Sequence, residues 1–261
     1  MQLTDDQITE FNDRGFLVLP ELFSAAEVAV LKGAMEDVFR QDDPANVKEA
    51  DGDVVRTAMG LHLRHDAFAK LVRHPRLVEP ARQLRGPDLY VQQVKINVKA
   101  GFDGDQWQWH YDFATHHGDD GVPEPLPLNL HVLLDDVSEY NGPLYFLPGS
   151  HLEGPAPAWH DTTSTSYPLW VVERDTVARH ADARGIFTAS GRAGTGLIFG
   201  DLLVHGSPPN MSPWDRAIFS LILNPVSNAY TNDQRPDWKH HRDLTPVSPV
   251  DDNCLLETDA A

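Results

Sequence analysis

From Leu89 onward the apolar residues change from helical spacing to strand spacing, and this change constrains the fold more than any other feature. Ahead of it, Thr4 with Gln7 and Ser24 with Glu27 carry the capping signature of a helix start. Ile8 and Phe11 follow the first cap, and Gly15 suits its stop. Val28, Leu31, Met35 and Phe39 follow the second at helical spacing, which predicts an amphipathic helix over 25–40. FLVLP at 16–20 reads as a short strand, the polar and acidic stretch 41–56 as a loop, and 68–72 and 76–84 as short helices. After Leu89 the run LYVQQVKINVKA alternates, with a slip before Val94. LNLHVLLDDV, PLYFLPGS, GTGLIFGD and AIFSLILNPV are further strand-like runs separated by turn residues. Helices first and strands later predict an α+β protein, mainly β, built around a sandwich or barrel.

Residues 152–190 break this pattern. They are rich in Pro, Thr, Ser, Asp and His with weak periodicity, and a connection of that length reads as an insertion or lid. No repeat and no clean linker divides the chain, so 1–261 is read as one domain.

Bulk properties narrow the function classes. A formal charge of -18 argues against nucleic-acid or anionic-membrane partners, which need basic patches. The single cysteine, Cys254, builds neither a disulfide framework nor a thiolate zinc site. The start MQLTDDQITEF lacks the regions of a signal peptide, and no apolar run reaches membrane-spanning length. The expectation is a soluble cytoplasmic protein acting on a small molecule. Its 13 histidines are the first hint of metal chemistry.

WQWHYDF places His110 and Asp112 two residues apart. On a strand, residues i and i+2 point to one face, so both could reach a single ion. Two His and one carboxylate on one face of an octahedral metal leave three positions open, the arrangement of non-haem Fe(II) oxygenases. The third ligand is expected to be a distant His at the start of a late strand. His205 fits, following GLIFGDLL and preceding small turn residues. Arg216, at the head of RAIFSLIL, could clamp the far carboxylate of a dicarboxylic cosubstrate through its bidentate, permanently charged guanidinium. Trp107 is read as sharing the ligand face and lining the pocket, Trp109 as core, His131 as a satisfied core histidine, and His240 and His241 as water-facing.

With these residues stand QVKIN (93–97), WHYDF (109–113), DDGVP (119–123), NGPLYFLPGSH (141–151) and HGSPPNMSPWDR (205–216). Together they resemble the phytanoyl-CoA dioxygenase-like group of Fe(II)/2-oxoglutarate oxygenases, and within it the bacterial ectoine hydroxylases and a free-leucine 5-hydroxylase. The resemblance spans nearly the whole chain. It implies a double-stranded β-helix, a cupin-like jelly roll backed by helices. It implies that His110, Asp112 and His205 hold Fe(II), that Arg216 and Ser207 bind the C5 carboxylate of 2-oxoglutarate, and that Gln93 and Asn97 touch the same cosubstrate. Gln93, Lys95 and Asn97 share a strand face by spacing, and Lys95 is assigned to the substrate instead. His116 stands where ectoine hydroxylases carry a substrate-stacking Trp, which argues against ectoine as the substrate. HRDLTPV (241–247) resembles the leucine-hydroxylase end, with Arg242 as anchor for a substrate carboxylate and Asp243 holding it. Family halogenases replace the carboxylate ligand with a small residue; Asp112 is present, which favours hydroxylation.

The resulting expectation is a dioxygenase using Fe(II), 2-oxoglutarate and O2 to hydroxylate an unactivated C–H of a small zwitterion, a free amino acid or close derivative, in secondary metabolism or solute modification. The alternatives are an acyl or carrier-tethered substrate, and a catalytically silent metal-binding barrel.

Overall fold

The computed structural model describes residues 1–49, 53–164 and 168–257. In chain order the elements are α1 (Asp5–Arg14), β1 (Phe16–Leu19), α2 (Ala25–Phe39), β2 (Asn46–Lys48), β3 (Val55–Met59), α3 (Asp66–Leu71), α4 (Pro75–Arg85), β4 (Leu89–Lys99), β5 (Trp107–His110), α5 (Phe113–Asp120), β6 (Leu128–Leu133), β7 (Leu144–Phe146), β8 (Ala158–Asp161), β9 (Leu169–Val172), α6 (Arg174–Arg184), β10 (Phe187–Ala189), β11 (Gly196–Gly200), β12 (His205–Ser207) and β13 (Arg216–Pro225).

Both capping boxes form. Thr4 accepts from the amide of Gln7 and Ser24 from that of Glu27, and each N3 side chain bonds back to its cap. Gly15 ends α1 at φ 86°, a left-handed conformation that glycine adopts without the Cβ penalty.

Seven strands form the larger sheet in the order β1-β11-β6-β13-β4-β3-β2, and four form the smaller in the order β10-β7-β12-β5. Their pairings are antiparallel, and the architecture is the jelly-roll, double-stranded β-helix with supporting helices. Every residue of β13 is buried because the larger sheet is covered on both faces. On one face Phe219, Leu221 and Leu223 join Leu31, Phe68 and Leu77 of the helices in one apolar cluster. Phe219 stacks on Phe68 with ring centroids 5.8 Å apart. Each large apolar side chain buried there contributes roughly 1.5–3 kcal/mol. The alternate positions face the smaller sheet: Gln93, Lys95 and Asn97 on β4, Asn129 and His131 on β6, Arg216 and Ile218 on β13. The slip in the β4 alternation is a β-bulge, with Ile222 and Leu223 pairing Gln93 and Val91 and stepping over Gln92.

One reading of the sequence is corrected here. The stretch 41–56 is not simply a loop, because β2 and the start of β3 extend the larger sheet at its edge; residues 50–52 lie outside the described residues. Segment 152–190 carries a β8–β9 hairpin, helix α6 and strand β10 paired to β7. Its elements are short, so periodicity had little length in which to declare itself; residues 165–167 lie outside the described set. Among the described residues no helix is long and apolar enough to cross a membrane.

Candidate active site

The candidate site lies between the two sheets. His110 ends β5, and β12 runs antiparallel beside it with His205 as its register partner. Asp112 sits just past the strand, at the N-cap of α5 with helical backbone angles (φ -70°, ψ -29°). The expectation of one strand carrying both His110 and Asp112 is therefore corrected: strand becomes helix between them. The backbone turns Asp112 back toward the two imidazoles. Its Oδ1 lies 3.8 Å from His110 Nε2 and its Oδ2 3.9 Å from His205 Nε2. One ligand atom from each of the three residues lies within 4.8 Å of the others.

Backbone contacts orient both rings. His110 Nδ1 is 2.6 Å from the carbonyl of Gln108, and His205 Nδ1 is 2.9 Å from that of Leu203. Each Nδ1–H donates to a carbonyl two residues back, which turns Nε2 toward Asp112. Burial, with His205 beside it, pushes His110 down to about 3, so the ring is neutral at physiological pH. Burial alone would raise Asp112, but His205, Lys95 and His110 pull its carboxyl well below the usual range. Two imidazoles and one carboxylate at this spacing are the donor set that suits a divalent iron with open positions.

A narrow cavity adjoins the triad, lined by Gln93, Lys95, Asn97, Trp107, His116 and Arg216 together with the three triad residues. Arg216 is 1% exposed. Its Nη2 donates to Ser207 Oγ at 3.4 Å, and Ser207 in turn donates to the carbonyl of Gly142. Burial lowers the guanidinium to about 9, which still leaves it cationic at neutral pH. Arg216 Nε and both side-chain atoms of Asn129 are buried without hydrogen-bond partners among the described residues, as expected of a cradle that a polar ligand completes.

Trp107 reaches the cavity through an irregularity. His205 and Ser207 pair His110 and Trp107, so two steps on β12 match three on β5, and the bulge brings Trp107 to the ligand side. The guanidinium of Arg56 lies 4.2 Å from its ring. Gln93 lines the cavity but spends its amide on the carbonyl of Lys239 at 2.7 Å, and Asn97 Oδ1 accepts from Thr57 at 3.1 Å. Lys95 has no hydrogen-bond or ion-pair partner among the described residues. His116 pairs through Nδ1 with the buried carboxylate of Asp201 at 2.9 Å. Burial alone would lower His116, but Asp201 raises it above the ordinary range.

Arg242 does not reach the cavity. Its guanidinium donates to the carbonyls of Asp233 and Arg235 on the surface, and Asp243 is exposed beside it. Arg235 lines the cavity instead, its Nε donating to the buried Asp120 at 2.6 Å and its Nη2 to the other carboxylate oxygen. Its place depends on the path of an irregular C-terminal segment, which no period in the sequence reveals. His131 also differs from its expected role: it faces the cavity, and neither ring nitrogen has a partner among the described residues. His240 is buried, its Nδ1 3.0 Å from Asp120, and half-buried His241 packs its ring on His62.

A jelly roll holding a His-Asp-His cluster, its two histidines buried, beside a basic cavity defines a class, the cupin-like metal-dependent oxygenases. The family model for phytanoyl-CoA dioxygenase matches residues 11–218. The chain belongs to the phytanoyl-CoA dioxygenase family. It is 36% identical to an ectoine dioxygenase of Bordetella parapertussis over 98% of this chain and 88% of that protein. It is 34% identical to an L-proline trans-4-hydroxylase of Streptomyces griseoviridis over 94% of this chain and 96% of that one. The crystal structure of EctD from S. alaskensis with 2-oxoglutarate and 5-hydroxyectoine superposes with a TM-score of 0.84 at 32% identity, covering 95% of this chain and 87% of that one.

Proposed function

We propose that this chain is an Fe(II)- and 2-oxoglutarate-dependent dioxygenase that hydroxylates an unactivated C–H of a free amino acid or a close derivative. The observation that carries the reading is the convergence of His110, Asp112 and His205 beside a cavity that also receives Arg216. His110, Asp112 and His205 would hold the iron. Arg216, steadied by Ser207, would take the distal carboxylate of 2-oxoglutarate, and Asn97 and Gln93 would border the same ligand.

Bound iron, 2-oxoglutarate and O2 together supply the oxidising power, with succinate and CO2 as the by-products of hydroxylation. The chain's own task is to bind, orient and exclude water. The two oriented imidazoles, with Asp112 beside them, would together hold the ion without rearrangement of the backbone. Arg235, locked by Asp120, supports a substrate carboxylate at a second cationic end of the cavity, the role the sequence had given to Arg242. Lys95, Trp107 and His116 would shape the substrate's seat between the two arginines.

The whole chain is read as one dioxygenase domain, with 152–190 as its lid. Leu169 of β9 lines the cavity, and Gln108 of β5 donates to Asp161 of β8 at 3.0 Å, tying that hairpin to the ligand strand. The proteins similar to this one are described as acting on ectoine and on L-proline, both small and zwitterionic, which supports a substrate of that size and charge. The test is succinate formation by Fe(II)-loaded protein with 2-oxoglutarate across a panel of free amino acids. Substrate-dependent succinate supports the reading, and none across a broad panel contradicts it.

A further inference from the structure

Lys99 is buried where a lysine is costly. It closes β4 as the register partner of Arg216, which opens β13, and each is 1% exposed. Like charges directly opposite on a sheet destabilise it, and an ammonium without a carboxylate beside it loses its hydration for little return. Lys99 does not line the cavity. Its amine donates instead to two backbone carbonyls at the end of β12, that of Ser207 at 3.2 Å and that of Pro208. Burial, with Arg216 and Arg56 nearby, pushes the amine down to about 5, so it is uncharged at neutral pH and its two N–H groups match the two carbonyls.

The surroundings are built for this side chain. A Cβ at Gly104 would lie 2.5 Å from Lys99 Cβ, and one at Gly142 would lie 2.6 Å from its Cδ. Gly142 also offers its carbonyl to Ser207 Oγ, the hydroxyl that receives Arg216. Asn210 closes the far side by donating to the carbonyl of Lys99. Lys99, Gly142, Ser207 and Arg216 thus form one connected knot behind the end of the cavity.

We propose that Lys99 is a positioning residue for the cosubstrate seat: it pins the backbone of Ser207 and Pro208 so that Ser207 and Arg216 meet the distal carboxylate of 2-oxoglutarate in register. The inference rests on the reading of Arg216 as the seat of that carboxylate.

The test is anaerobic calorimetric titration of Fe(II)-loaded protein with 2-oxoglutarate and with 2-oxobutyrate, which shares the 2-oxo acid head and lacks the distal carboxylate. Lys99→Met keeps the stem and removes the donors. It is expected to weaken 2-oxoglutarate about tenfold while leaving 2-oxobutyrate within about twofold, narrowing the gap between them. Unchanged 2-oxoglutarate affinity, or equal weakening of both acids, overturns the inference. If Lys99→Met does not fold, Lys99→Gln, which retains an amide donor, is expected to weaken 2-oxoglutarate alone by a smaller factor. An unchanged gap there overturns the inference equally. Arg216→Gln separates the two claims. If it leaves the gap intact, the cosubstrate reading fails and takes the Lys99 inference with it. If it closes the gap and the Lys99 variants do not narrow it, only the role of Lys99 falls.

Discussion

His110 and His205 are register partners across the β5–β12 ladder, with ring centroids 4.1 Å apart. Each donates through Nδ1 to the carbonyl two residues before it, so the same local device orients both rings toward Asp112. A metal centre held this way needs little rearrangement to bind its ion.

Loss of one ring should therefore abolish the site without unfolding the barrel, whose largest apolar cluster lies on the other face of the larger sheet. His110→Ala is expected to lower Fe(II) affinity by at least about a hundredfold, beyond the 10–100-fold typical of losing an outer partner. Iron content after gel filtration, with far-UV circular dichroism as the control, checks this.

The two C-terminal arginines should behave differently. Arg235→Ala removes a cavity cation and leaves Asp120 buried without its arginine partner, so kcat/KM for the amino-acid substrate should fall about a hundredfold. Arg242→Ala loses only surface contacts to carbonyls and should change kcat/KM by less than about threefold. Steady-state kinetics on both variants decides between them.

Stability should fall on mild acidification. His62 is half-buried with both ring nitrogens shielded from solvent and unpartnered among the described residues, and burial, with His241 close by, lowers it from 6.5 to about 4. The unfolded chain then binds more protons than the native one between those values. The contribution is complete above pH 6.5 and is lost progressively as pH falls toward 4, by up to roughly 3 kcal/mol. Urea midpoints at pH 7.5 and pH 5 should differ less in His62→Phe than in the wild type.

Weakening the β8–β9 hairpin should loosen the coupling of cosubstrate turnover to product. Gln108→Ala cuts its tie to Asp161 and leaves the cavity more open to water. The ratio of succinate formed to hydroxylated product should rise in this variant, with Fe(II) affinity unchanged.

Local and periodic signals were legible in the sequence. The capping boxes, the helix over 25–40, the strands after Leu89 and even the slip before Val94 all have their cause within a few residues. The spacing of His110, Asp112, His205 and Arg216 pointed to the proposed chemistry because metal and carboxylate recognition demand those residue types, and the fold brings all four to one cavity. Other features depended on tertiary paths. Asp112 lies on a helix cap, which the pattern HYD could not distinguish from a strand. Arg235 rather than Arg242 lines the cavity, and segment 229–257 has no repeating contact that could reveal this in the sequence. His131 looked like a mid-strand core residue, and only the pairing of β6 with β11 and β13 shows that its face is the cavity side.

The central claim is the reaction, and mass spectrometry of the amino-acid product tests it most directly. Fe(II)-loaded protein with 2-oxoglutarate and O2 should return an accepted free amino acid heavier by one oxygen atom, with one succinate per product. Asp112→Ala should abolish both. Succinate without any oxygenated amino acid across the panel, or an oxygenated product at undiminished rate from Asp112→Ala, would contradict the account.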